Sequence, residues 1–193
     1  ASVAPRTPDY DLLALAQPQM ERLVEQTGES CKISVISNGE ILVLAALAGK
    51  HPFALSPAPG QRLPLHAGAA GKLLLAQLPA DEIDRLLGKE LPSYTPKTIT
   101  SRKKLMAELD AIRAQGWSSD KGEQMPGVHA VAGPVRDGSG QVVAALSIPF
   151  LPNSERSRPE ALRHAVIEAA DAISESIAAA ERRYPARNGA AVD

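Results

Sequence analysis

The sequence predicts an α+β fold, and three observations predict it. Two pairs of short apolar runs are each joined by a tight, glycine-containing turn. These two hairpins stand on either side of a set of helical patterns, which means an antiparallel sheet and not a doubly wound parallel one. The chain then closes on one long stripe of apolar residues at helical spacing.

Taken in order, residues 1–8, with Pro5 and Pro8, read as a disordered leader. From Asp9 the spacing of Leu12, Leu13, Leu15, Ala16, Met20, Leu23 and Val24 is helical. Pro18 lacks the N–H that an interior turn needs, so two helical pieces are expected, the second starting at Pro18 and stopping at Gly28. Residues 31–37 alternate in part and residues 40–47 are nearly all apolar. Only Asn38-Gly39 lies between them, the pair suited to the positive φ angles of a type I′ turn. A second hairpin is expected from residues 128–135, the turn Asp137-Gly-Ser-Gly140 and residues 142–148.

Three helices are expected between the hairpins. Ala70, Leu73, Leu74 and Leu78 mark the first. Ile83, Leu86 and Leu87, closed by Gly88, mark a short second. Leu105, Leu109 and Ile112, opened by Thr100 or Ser101 and closed by Gly116, mark the third. Residues 89–99, with Pro92 and Pro96, read as a surface loop. The final helix is expected over residues 159–184, with Leu162, Val166, Ala169, Ile173 and Ile177 on one face. Pro185 stops it, and residues 185–193 read as a disordered tail. Residues 9–184 thus form one domain.

Composition narrows the function. At 193 residues a single domain is the default, large enough to bury a core without disulfides or a structural metal. With 21 basic against 22 acidic side chains, broad electrostatic capture of nucleic acid has no charge surplus behind it. A single cysteine excludes an intrachain disulfide framework and any multi-Cys zinc site. His51, His66, His129 and His164 show no metal-ligand spacing, so no metal and no cofactor are expected. The longest apolar run, residues 41–48, is far too short to cross a bilayer, and the chain opens on nothing like a signal peptide. A cytoplasmic domain with no membrane partner is the expectation.

The most informative stretch is Leu63-Pro-Leu-His-Ala-Gly-Ala-Ala-Gly-Lys72, running straight into a helix. Small residues at positions 68–71 let another group approach the backbone, and the first amides of a helix have no internal partners. A carboxylate could sit at Ala69 and Ala70. Tight packing of the helix on the sheet explains the same residues, and is the commoner outcome. Cys31 opens a strand and is either a pocket residue or a small buried hydrophobe. His129, mid-strand, either bonds a ligand, pairs with Glu123, or is a satisfied structural histidine. His66 reads as a capping or packing residue. Arg102-Lys103-Lys104 and Arg182-Arg183 read as solvated helix ends.

That same stretch, continued as Leu-Leu-Leu-Ala, resembles the signature of the effector-binding domain of IclR-type transcriptional regulators. Three further segments agree in order and spacing: Leu23-Val-Glu-Gln-Thr-Gly-Glu-Ser30, then Ile112-Arg-Ala-Gln-Gly-Trp-Ser-Ser-Asp-Lys-Gly-Glu123, then residues 127–147 from Gly-Val-His-Ala-Val to Ala-Ala-Leu-Ser. The resemblance covers about residues 10–184.

The resemblance implies a GAF/profilin-like curved antiparallel sheet flanked by helices. It also implies a ligand-sensing role: a small organic acid would bind, alter the geometry of a homodimer or homotetramer, and so change operator DNA binding. That DNA contact belongs to an N-terminal winged helix-turn-helix domain, which the residues ahead of Cys31 are too few to supply. The chain is therefore expected to be an isolated effector domain, with residues 9–16 the end of the linker helix. Matched residue by residue, Ala69 and Ala70 offer backbone amides to the effector carboxylate. Glu123 falls at an acidic pocket position, Ala130 where some members have a pocket cysteine, and Ser147 at a pocket serine. Pro149-Phe150 departs from the usual run of Ser-Gly-Pro, replacing a hydroxyl with apolar bulk, which favours a larger or more apolar acid. Repressor and activator roles stay open. Two other readings are a small cysteine-dependent hydrolase or isomerase built on Cys31 with His129 or His66, and an oligomerisation domain with no effector. No enzyme fingerprint occurs, so the chain is not expected to be an enzyme.

Overall fold

The computed structural model describes residues 10–52, 54–152 and 158–183. The expected leader, the tail, Asp9 and Tyr184 lie outside the described residues. Helix α1 spans Leu12–Thr27, with the Asp11 carboxylate accepting the Ala14 N–H at 3.1 Å as its N-cap. The expected break at Pro18 does not occur, and the helix runs through it as one piece. Pro18 and Ala14, whose carbonyl loses its donor, both lie on the exposed face of the helix, while Ala16, Met20, Leu23 and Val24 form one buried stripe on the other. Packing of that stripe outweighs the local preference.

Strands β1 (Cys31–Ser37) and β2 (Glu40–Leu47) form the first hairpin, from Cys31 opposite Leu47 to Ser37 opposite Glu40. Asn38 and Gly39 take φ of 52° and 76°, as the two-residue turn demands. Strand β3 (Arg62–Leu63) adds to β2, and helices α2 (Ala69–Leu75), α3 (Ala80–Leu86) and α4 (Arg102–Gln115) follow. Ser101 caps α4 through its hydroxyl and Gly116 closes it. Strands β4 (Ser118–Lys121), β5 (His129–Arg136) and β6 (Val142–Phe150) complete one antiparallel sheet in the order β3-β2-β1-β6-β5-β4. Helix α5 (Pro159–Arg183) ends the described chain.

The sheet is buried on both faces by period-two alternation. Along β6, Ala144, Leu146, Ile148 and Phe150 face the core made with α1 and α5, while Ala145 faces the core made with α2, α3 and α4. On the α5 side Leu162, Val166, Ile173 and Ile177 supply the expected stripe. Residues 89–99 are less a surface loop than expected. Leu91, Thr95 and Thr98 are buried, and Thr95 and Thr98 donate hydroxyl hydrogen bonds to the carbonyls of Gly122 and Glu123. Among the described residues, no helix is long and apolar enough to cross a membrane.

Candidate functional site

Between α2 and the sheet lies a cavity of about 170 Å³. Each of the six strands contributes to it: Lys32, Ile41, Leu63, Asp120, Ala130, and from β6 both Ser147 and Pro149. The sheet therefore curls around this space. Residues 55–57 and residues 124, 125 and 128 close its sides, and Ala67 to Gly71 form the wall opposite the strands.

The local sequence explains that wall. A Cβ at Gly71 would stand 2.5 Å from the Leu65 carbonyl oxygen and 2.7 Å from that of Pro64, so only glycine lets the first turn of α2 double back onto the preceding strap. Ala69 and Ala70 are buried there, and among the described residues their amides donate to no acceptor.

Three polar side chains converge from the sheet. The Ser147 hydroxyl is buried and has no hydrogen-bond partner among the described residues. Lys32 stands directly opposite Ser147 in the β1–β6 register, and among the described residues no hydrogen-bond or ion-pair partner takes its ammonium. Burial pushes the Lys32 amine below its ordinary value, with Asp120 opposing. Asp120 is itself buried, which raises its carboxyl above the usual range, although its Oδ1 accepts the Glu123 N–H at 2.6 Å and Lys72 draws it down.

Of the residues expected at the site, Ala69, Ala70, Ala130 and Ser147 come together here. Glu123, His129 and Cys31 do not. Glu123 is turned to Lys72, whose buried ammonium donates to it at 2.9 Å and to Glu108 at 2.8 Å. A buried ammonium without partners is strongly unfavourable, so Lys72 holds that carboxylate away from the cavity. The acid that faces the cavity is Asp120. Burial also raises Glu123, against the pull of Lys72.

His129 neighbours Ala130 on β5 and so points through the sheet, edge-on to Phe150 with ring centroids 5.9 Å apart. It does not pair with Glu123, and burial lowers its pKa. Phe150 alternates away from Pro149 in the same manner, so the apolar bulk expected in the pocket comes from Pro149 alone. Cys31 sits in the α1–α5 core with Sγ 3.8 Å from the Met20 carbonyl, and burial pushes its thiol up to about 12. His66 bonds the Pro92 carbonyl at 2.7 Å and packs on Tyr94. Neither histidine hydrogen-bonds the thiol, which stays protonated, so the geometry lends no support to a Cys31 nucleophile.

Lys32 and Asp120 escaped the sequence reading. Lys32 looks like the solvent-facing member of an alternating strand, and Ser118–Lys121 has no apolar residue to announce a strand at all. The signal that was present is the pairing of Ser118 and Asp120 two residues apart, on the face that Ala130 shares.

Comparison with known proteins agrees with this architecture. The family model described as bacterial transcriptional regulator IclR C-terminal matches residues 7–175. The HTH-type transcriptional repressor AllR of Klebsiella pneumoniae is 37% identical over 139 residues, which is 72% of this chain and 51% of that protein. The C-terminal domain of the Escherichia coli transcriptional regulator KdgR superposes with a TM-score of 0.77 at 32% identity, covering 88% of this chain and 99% of that one. An IclR homologue from Microbacterium hydrocarbonoxydans, complexed with 4-hydroxybenzoate, superposes with a TM-score of 0.79 at 29% identity, covering 87% and 68%. The chain spans about half the length of the curated relatives it matches.

Proposed function

Since this chain belongs to the IclR family of bacterial transcriptional regulators, as its C-terminal domain, we propose that the cavity is an effector site for a small organic acid. One observation carries the proposal: a cavity lined by all six strands holds a buried hydroxyl, an ammonium and two backbone amides with no partners among the described residues. Buried polar groups are ordinarily paired, so such a set is complementary to an anion brought from outside. The 4-hydroxybenzoate complex of the structural neighbour supports the acid class.

The mechanism is a binding equilibrium. The acid favours one arrangement of a homodimer or homotetramer over another, by its difference in affinity for the two. The curated relatives are named HTH-type regulators, so operator DNA is met by a helix-turn-helix part beyond this domain, in the cytoplasm. Paired recognition helices depend on half-site spacing, so a modest reorientation changes DNA affinity.

The test is thermal unfolding and titration calorimetry with a panel of aliphatic and aromatic acids. A binding acid at a hundred times its Kd stabilises the native state by about 2.7 kcal/mol. Ala70→Trp pushes an indole into the cavity from the α2 wall and is expected to lose that shift while keeping a cooperative melt. A panel without any shift, or unchanged affinity in Ala70→Trp, overturns the reading.

A further inference from the structure

Lys32 and Asp120 give the cavity two unlike poles. They stand on β1 and β4, separated in the sheet by β6 and β5, yet the curl brings both to the same space. They form no ion pair with each other. The Lys32 side is a donor pole: its ammonium and the unpartnered Ser147 hydroxyl sit on directly opposed residues of adjacent strands, where side chains lie close together. The Asp120 side is an acceptor pole, its carboxyl fixed by the N–H of Glu123. Between them the walls are aliphatic, from Ile41, Leu55, Leu63 and Pro149.

We propose that Lys32 is the specificity-determining residue of this cavity, and that the ligand is a hydroxy acid. Its carboxylate meets Lys32 and Ser147, and its hydroxyl meets Asp120. This rests on the effector reading given above and narrows it.

Three alternatives fit worse. A simple aliphatic acid leaves Asp120 desolvated against carbon. A dicarboxylate sets a second negative charge against the Asp120 carboxyl. An amino acid brings an ammonium that must shed its hydration shell, a cost that the one Asp120 carboxyl, already engaged by the Glu123 N–H, repays only in part.

The experiment is titration calorimetry of matched probes, roughly three to six carbons long: the unsubstituted acids and their terminal hydroxy, amino and dicarboxylic analogues. Wild type is expected to prefer a hydroxy acid over its three analogues by at least about tenfold, the size of one hydrogen bond to a charged group. Lys32→Met and Lys32→Gln, made in parallel so that one folded variant suffices, are expected to weaken every acid by at least about tenfold, with Lys32→Arg retaining most of the affinity. Asp120→Asn keeps an oxygen for the Glu123 N–H, and is expected to lose hydroxyl preference and gain affinity for dicarboxylates. Unchanged acid binding in the neutral Lys32 variants, or a wild type that prefers any other member of the series, overturns this inference and leaves the effector site standing. Failure of every acid on wild type removes the effector site itself.

Discussion

Asp120 couples the cavity to pH. Its buried carboxyl titrates above the ordinary value of 3.8, so between that value and the raised one the folded chain keeps a proton that the unfolded chain has released. Stability therefore falls as pH rises through that window. Asp120→Asn cannot ionise and preserves the oxygen that the Glu123 N–H uses. In urea denaturation from about pH 4 to neutrality, the variant is expected to gain on wild type as pH rises through that window and to keep a constant difference above it. Parallel curves would show that burial does not govern this carboxyl. The same residue marks where the sequence stops being informative. Ala69, Ala70, Ala130 and Ser147 could be matched because their spacing follows the chain, but the choice between Asp120 and Glu123 depends on Lys72, which is 51 residues from Glu123. Lys32 was hidden for a related reason, since the residues that mark its side of the strand as a cavity wall, Ser147 opposite it and Asp120, are about a hundred positions away in sequence.

The elements legible from the sequence are those with a local cause. Asn38-Gly39 sets the first hairpin, Ser101 and Gly116 bound α4, and the stripe from Leu162 to Ile177 defines α5. Strands β3 and β4 were not legible. One has two residues and the other is Ser-Ser-Asp-Lys, so each exists only because a neighbouring strand pairs with it. Helix α1 shows the opposite conflict, a local breaker overruled by packing. Replacing the exposed Pro18 with Ala restores an intrahelical donor, and is expected to raise stability by about 2 kcal/mol in urea denaturation. A loss of stability would mean that the proline ring itself is held by a contact.

At the scale of the molecule, one sheet divides two cores, with α1 and α5 on one side and α2, α3 and α4 on the other. Both layers lean on the same strands, so they are expected to unfold together. Ile173→Ala and Leu109→Ala, one from each core and both fully buried, are each expected to destabilise by about 2–5 kcal/mol. The fluorescence of Trp117, the chain's one tryptophan, and far-ultraviolet circular dichroism should report a single coincident transition in both variants. Separate transitions would show two independent halves.

Residues 31 and 32 stand on the dividing line. One peptide plane, stiff by resonance, carries Lys32 against the cavity and Cys31 against Met20 of α1. The cavity and the N-terminal helix thus lie against opposite faces of one strand, with the width of a single peptide unit between the residues that touch them.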